Sequence, residues 1–138
     1  MGKTVIVVDT NVIASLFISG PETLNAKCVL QRDSEWSAPL LWRSEMQNVL
    51  SKYMRRDGMA IEKAVGIMQN SRTLPGPREY ESSPESVLGL VASSSCSAYD
   101  CEFVALAQQL EVPLVTADIR ILRDFPGIVV ALREFARR

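Results

Sequence analysis

The chain has 138 residues, of which 47% are hydrophobic and 22% charged, and its formal net charge is −1. This balance is typical of a folded domain, so it excludes a disordered chain and gives no global attraction for nucleic acid. The length predicts a single domain over residues 1–138 with its own core. The chain contains no histidine, which excludes Ser–His and Cys–His hydrolases and leaves carboxylates as the expected catalytic groups.

The apolar segments and the cysteines indicate the cellular compartment in which we expect the protein. No apolar run reaches the ~20 residues that span a bilayer, and the N-terminal run is too short for a signal peptide. We therefore expect no membrane association and a cytoplasmic protein. Cys28, Cys96 and Cys101 are odd in number and lack CxxC spacing, which predicts reduced, mostly buried thiols rather than disulfides or a zinc ribbon.

The predicted elements alternate along the chain. Short apolar or β-branched runs predict strands at residues 3–8, 35–38, 112–116 and 128–132. Helical apolar spacing, bounded by Pro, Gly or Ser, predicts helices at residues 12–18, 22–33, 39–57, 60–71, from 84 to the serines at 93–95, 97–111 and 118–124. Residues 74–77 form a predicted loop. Strands that alternate with helices predict an α/β layered fold with a mainly parallel sheet flanked by helices.

Two aspartates follow predicted strands. Asp9 comes directly after the first strand, and Asp118 comes two residues after the strand at 112–116. Ligands of open α/β sheets bind at the carboxyl ends of the strands, so both acids face the expected cleft and converge if their strands are neighbours. The alternative is that each aspartate only caps the helix that follows it.

Glu45 lies inside the apolar stripe of its predicted helix, four residues after Leu41 and four before Val49. A carboxylate directed at the core is costly unless it is paired, hydrogen-bonded or bound to a metal ion. The alternative is a glutamate at the edge of the stripe that reaches solvent.

Asp100 is also a carboxylate on the apolar face of its predicted helix, since it precedes Phe103 and Val104 by three and four residues on a strongly apolar helix. The alternative is a capping box, because Ser97 and Asp100 have the required spacing. Such a role would not explain the position of Asp100 on the buried stripe.

Four carboxylates in one cleft would suit a hard cation. Mg²⁺ and Mn²⁺ prefer oxygen ligands, and such an ion relieves the repulsion between the acids while it activates water and neutralises phosphoryl charge. Asn11 and Thr116 each lie two residues from one of the aspartates, where a neutral hydrogen-bonding side chain can orient a ligand or the attacking water. The alternative is an ordinary helix-start or strand-end residue.

Four segments resemble the acidic motifs of PIN-domain nucleases, and most closely those of the VapC-type toxins of toxin–antitoxin pairs. The segments are VVDTNVI (7–13), SEMQNVL (44–50), SAYDCEFVALA (97–107) and VTADIRIL (115–122). Their order and spacing fit the family over nearly the whole chain, and the S-A-Y-D helix followed by T-A-D is the most specific part.

The resemblance implies a three-layer PIN-like fold and an endoribonuclease that depends on Mg²⁺ or Mn²⁺. It implies that the metal-binding acids are Asp9, Glu45, Asp100 and Asp118, with Asn11 and Thr116 in support. It also implies an RNA substrate, a frequent homodimer and a VapB-like antitoxin that covers the active site.

Charged residues near these acids bear on RNA binding. Glu102 is an extra acid relative to the family, and it lies roughly 200° around the helix from Asp100, so we expect it to face away from the site. The candidate RNA-binding cations are Arg43, Lys52, Arg55, Arg56, Arg120 and Arg123. The alternative for each cation is a solvated surface charge.

Other classes of protein fit less well. A haloacid-dehalogenase-like phosphatase would need a second aspartate where the chain has Asn11, and the acids of a receiver domain come in a different order. A non-catalytic PIN-like binding module remains the main alternative, and loss of one or more acids would be its mark. All four acids are present, which favours the nuclease.

Overall fold

The computed structural model describes residues 5–73 and 76–138. The first two residues of the strand predicted at 3–8, and residues 74 and 75 of the predicted loop, lie outside the described residues. Within them, five strands form a single sheet: β1 (Val5–Val8), β2 (Glu35–Pro39), β3 (Arg78–Tyr80), β4 (Leu114–Thr116) and β5 (Val129–Ala131).

All strand pairs are parallel, and the order across the sheet is β3-β2-β1-β4-β5. Eight helices of the described chain flank it: α1 (Thr10–Phe17), α2 (Thr23–Arg32), α3 (Trp42–Asp57), α4 (Ile61–Thr73), α5 (Pro84–Ala92), α6 (Ala98–Leu110), α7 (Ile119–Asp124) and α8 (Leu132–Arg137). The predicted parallel sheet flanked by helices is therefore confirmed.

The central strand β1 is buried on both faces, because Ile6, Val7 and Val8 all belong to the core. This burial explains its continuous run of β-branched residues, which is typical of a strand covered on both sides. Helix α6 packs on β1, β2 and β4. Helices α1 and α8 pack against β4, and α2 contacts both α1 and α8.

The chain order creates a crevice at the end of β1. After β1 the chain passes through α1 and α2 to β2 on one side, whereas β4 pairs with β1 on the other side. The Asp9 N–H donates to the Val115 carbonyl at 3.0 Å, which joins the two strand ends. Strand ends of this kind, where the connections diverge, are the usual ligand sites of open parallel sheets.

The start of the helix predicted at 39–57 is wrong, because Pro39 belongs to a strand. It is the last residue of β2, in register with Tyr80 of β3, and α3 begins only at Trp42. A proline is tolerated at a strand end, and the next N–H, that of Leu40, donates to the Tyr80 carbonyl at 3.0 Å. The predicted end of this helix before Gly58 is confirmed, because Gly58 adopts φ 69° as its left-handed C-cap.

Two elements are absent from the sequence prediction. Strand β3 has only three residues, two of them charged, and it is defined by its pairing with β2. The strand predicted at 128–132 ends at Ala131, and α8 follows it with Leu132 and Phe135 buried. Both elements are too short for a periodic apolar pattern to reveal them.

The cysteines are free, with Cys96 and Cys101 buried and Cys28 exposed. In the part of the chain that the structure describes, no helix combines the length and the apolar character that a bilayer crossing requires.

Candidate active site

The four predicted acids line one cleft of about 540 Å³ at the carboxyl ends of β1 and β4. They come from four separate segments: the end of β1, the first turns of α3 and α6, and the start of α7. The acids that share the cleft are Asp9, Glu45, Asp100 and Asp118.

Asp9 is the most buried of these acids, with 7% of its surface exposed. Its Oδ1 accepts from the Thr10 N–H at 2.7 Å, so it does cap α1, while its Oδ2 accepts from the Thr116 hydroxyl at 2.8 Å and from Asn11 Nδ2 at 3.3 Å. Burial raises the pKa of Asp9 to about 7 despite these donors, and the charges of Glu45 and Asp100 add to the effect. Capping and site membership are therefore compatible at this position.

Glu45 is half-buried in the first turn of α3. Burial is the main cause that raises its pKa, and the charge of Asp100 contributes. The Thr10 hydroxyl donates to Glu45 Oε1 at 2.7 Å and opposes that shift. Thr10 is not identified from the sequence as part of the site. Its role depends on a contact between α1 and α3.

Asp100 lies in the first turn of α6, where Ser97 is the N-cap and accepts from the Asp100 N–H at 3.1 Å. In the described part of the chain the Asp100 carboxylate accepts no hydrogen bond, so the reciprocal half of a capping box is not formed. The carboxylate instead lines the cleft, and its charge raises the pKa of both Asp9 and Glu45.

Asp118 caps α7, since its Oδ1 accepts from the Arg120 N–H at 2.8 Å. Its own N–H donates to the Thr116 hydroxyl oxygen at 3.0 Å. The loop after β4 is thus tied to the same threonine that donates to Asp9, which holds the two strand-end acids on one network.

Asn11 completes this network. Its Nδ2 donates to the Thr116 hydroxyl oxygen at 3.2 Å, and its Oδ1 accepts from the Ala117 N–H at 3.1 Å. The two residues predicted to support the acids therefore join the end of β1 to the end of β4. They fix the position of Asp9 without being acids themselves.

Glu102 lies outside the cleft lining, as expected for a residue on the other side of α6. Its Oε1 accepts from the Ser82 hydroxyl at 3.0 Å. Its charge nevertheless contributes to the raised pKa of Glu45, so it is not electrostatically isolated from the site. Helix geometry predicts the direction of a side chain, whereas charge acts over several ångströms.

The predicted RNA-binding cations separate into groups. Lys52 lines the cleft, and Arg56 borders a depression beside it that Lys52 and Tyr53 also line. Arg43 is engaged elsewhere, because its guanidinium donates to both carboxylate oxygens of Glu79 and so joins α3 to β3.

This pairing occupies the Arg43 guanidinium in the free protein, and a role for Arg43 in RNA binding stays a prediction. Glu79 also accepts from Trp42 Nε1 at 2.8 Å, so the cluster is structural. The remaining candidate cations are exposed at Arg55, Arg120 and Arg123.

The donor set of the cleft suits a hard cation, because every charged ligand it offers is a carboxylate. Across residues 5–73 and 76–138, no three Asp, Glu or Cys side chains form a preassembled metal-binding group. The raised pKa of Asp9 is a second relevant observation, since a nearby cation would favour the ionised form that burial disfavours. The residues therefore fit a metal ion by chemistry.

The fold has clear relatives among solved structures. PAE2754 from Pyrobaculum aerophilum is 18% identical with a TM-score of 0.75, over 99% of this chain and 97% of the other. A toxin–antitoxin complex from Klebsiella pneumoniae contains a chain 24% identical with a TM-score of 0.68, over 94% and 98%. FitAcB from Neisseria gonorrhoeae is 13% identical with a TM-score of 0.67, over 92% and 97%.

A search of curated proteins finds no significant match. The family model described as the PIN domain matches residues 6–127, which includes all four acids of the cleft. Because this match extends over most of its length, the chain belongs to the PIN domain family.

Proposed function

We propose that this protein is a metal-dependent endoribonuclease that hydrolyses RNA phosphodiester bonds, and that it is the toxin of a toxin–antitoxin pair. The observation that carries the proposal is the convergence of four carboxylates from four segments in one cleft. PIN domains are generally nucleases, which agrees with this chemistry. The toxin assignment is supported by the structural similarity to a chain of the Klebsiella pneumoniae toxin–antitoxin complex.

In this proposal Asp9, Glu45, Asp100 and Asp118 hold Mg²⁺ or Mn²⁺. The ion, when bound, would lower the pKa of water and neutralise charge on the phosphoryl group. Asp9 is held rigidly by its three donors, so it provides the fixed ligand of the set.

The other three acids have fewer constraints. In the described chain Glu45 accepts one hydrogen bond, from the Thr10 hydroxyl, and Asp118 retains a second carboxylate oxygen beside the one that caps α7. Since no cluster of three ligands is preassembled in the described chain, these side chains would move toward Asp9 on binding. Repulsion between the acids would oppose that approach, and a bound cation would offset it.

The test is RNA cleavage by the purified protein. We expect cleavage with Mg²⁺ or Mn²⁺ that EDTA abolishes and that added metal restores. Asp100→Asn should lower the rate by orders of magnitude without loss of stability, because it removes a ligand but also a repelling charge. Glu62→Gln, an exposed acid on α4, is the matched control and should leave the rate unchanged. Equal cleavage in excess EDTA would refute the mechanism.

The alternative, a non-catalytic PIN-like module that acts through a partner surface, is tested in cells. The toxin proposal predicts a cytoplasmic protein, often a homodimer, whose expression arrests growth until a VapB-like antitoxin is supplied. Asp9→Asn should remove the arrest. If the variant and the wild type slow growth equally, toxicity does not come from this cleft.

A further inference from the structure

Tyr99 is an exposed aromatic residue in the wall of the cleft. It lies on α6 directly before Asp100, and 62% of its surface is exposed. Within the described chain, the Tyr99 side chain forms no hydrogen bond and does not pack against the hydrophobic core. Its ring is therefore available to a ligand that enters the cleft.

A second wall of the cleft is formed by α3. Beyond Glu45, that wall presents Asn48, Val49 and Lys52, which lie three, four and seven residues further along the helix on one face. Glu45 and Lys52 are therefore separated by roughly 10 Å along the helix axis, at a rise of 1.5 Å per residue. The cleft thus changes from acidic at the strand ends to apolar, amide-bearing and cationic toward Lys52.

We propose that this part of the cleft is a subsite for an unpaired nucleobase adjacent to the scissile phosphate, with Tyr99 as the stacking platform. The inference rests on the proposed ribonuclease function and adds the residue that holds the base. Lys52 supplies a cation for the neighbouring phosphate, and the Asn48 amide offers both a donor and an acceptor to a base edge.

The chemistry of stacking favours single-stranded RNA. A base inside a duplex already has neighbours on both faces, whereas an unpaired base can offer one face to an aromatic side chain. The position of Tyr99 beside an acid of the cleft favours a nucleobase over a protein side chain as its occupant, since the bound phosphate would bring a base to the same place.

The experiment is a double-mutant cycle that combines substitutions of Tyr99 in the protein with removal of single bases from the RNA. A short labelled single-stranded RNA with one mapped cleavage site is compared with copies that carry one abasic nucleotide at each position around that site. Cleavage by wild type, Tyr99→Ala and Tyr99→Phe is measured as kcat/KM, and melting curves verify that the variants fold.

We expect Tyr99→Ala to lower kcat/KM about 5- to 150-fold, the range typical of one stacked base, and Tyr99→Phe to retain most of it. One abasic substrate should lower the wild-type rate by the same factor, and Tyr99→Ala should lose nothing further on it. Leu88→Ala is the matched control, because Leu88 is 61% exposed but lies on α5 outside the cleft lining.

Three outcomes would overturn the inference. In the first, Tyr99→Ala cleaves like wild type. In the second, the reduction of kcat/KM by Tyr99→Ala is the same on every abasic RNA as on the intact RNA, so the two losses are independent. Normal cleavage by Tyr99→Ala with loss of inhibition by an antitoxin would assign the residue to a protein contact instead. If wild type cleaves no RNA at all, the proposed function itself fails, which is distinct from these results.

Discussion

Asp9→Asn should change how the stability of the metal-free protein depends on pH. The pKa of Asp9 is raised from 3.8 to about 7 by burial. Between these values the unfolded chain has lost the proton while the folded chain keeps it, so stability falls as pH rises. At about 1.4 kcal/mol per pKa unit, the wild type should lose about 4 kcal/mol between pH 4 and pH 8 because of this group.

The asparagine variant avoids that loss but weakens its local hydrogen bonds. Oδ1 of the new side chain still accepts from the Thr10 N–H, whereas its amide nitrogen replaces the oxygen that accepts from Thr116 and Asn11. Each lost hydrogen bond costs about 1 kcal/mol. The variant should therefore be less stable than wild type by about 1–2 kcal/mol at pH 4 and more stable by about 2–3 kcal/mol at pH 8.

The assay is urea unfolding in EDTA at several pH values, followed by the fluorescence of the two buried tryptophans, Trp36 and Trp42. The difference between the two proteins isolates Asp9, because Glu45 and Asp33 have raised pKa values of their own and are present in both. Parallel stability curves for the two proteins would refute the reasoning. The same variant should be inactive as a nuclease if Asp9 is a metal ligand.

Two further predictions concern other parts of the molecule. Thr10→Val, which keeps the shape but removes the hydroxyl that donates to Glu45, should weaken Mn²⁺ binding about 10- to 100-fold by titration calorimetry. Thr10→Ser should restore it, and equal affinity in the two variants would contradict a positioning role. In native protein a thiol reagent should modify only Cys28, because Cys96 and Cys101 are buried and burial raises their pKa, to about 11 for Cys96. Fast modification of all three thiols would show that this region opens readily.

The local sequence determined most of the helices and the segments that carry the acids. Apolar spacing located Glu45 on a core-facing stripe and Asp100 in the first turn of α6, and β-branched runs located the strands that Asp9 and Asp118 follow. These features depend on neighbours within about one or two turns, which periodicity records directly.

Tertiary structure alone decided the features that join distant segments. Strand β3 and the strand position of Pro39 depend on pairing between β2 and β3. The bond from Thr10 to Glu45 spans 35 residues, and the pairing of Arg43 with Glu79 spans 36. Such contacts leave no periodic signal in the sequence, because neither partner is chosen by its own neighbours. Their energies arise only when packing brings the two segments within hydrogen-bonding distance.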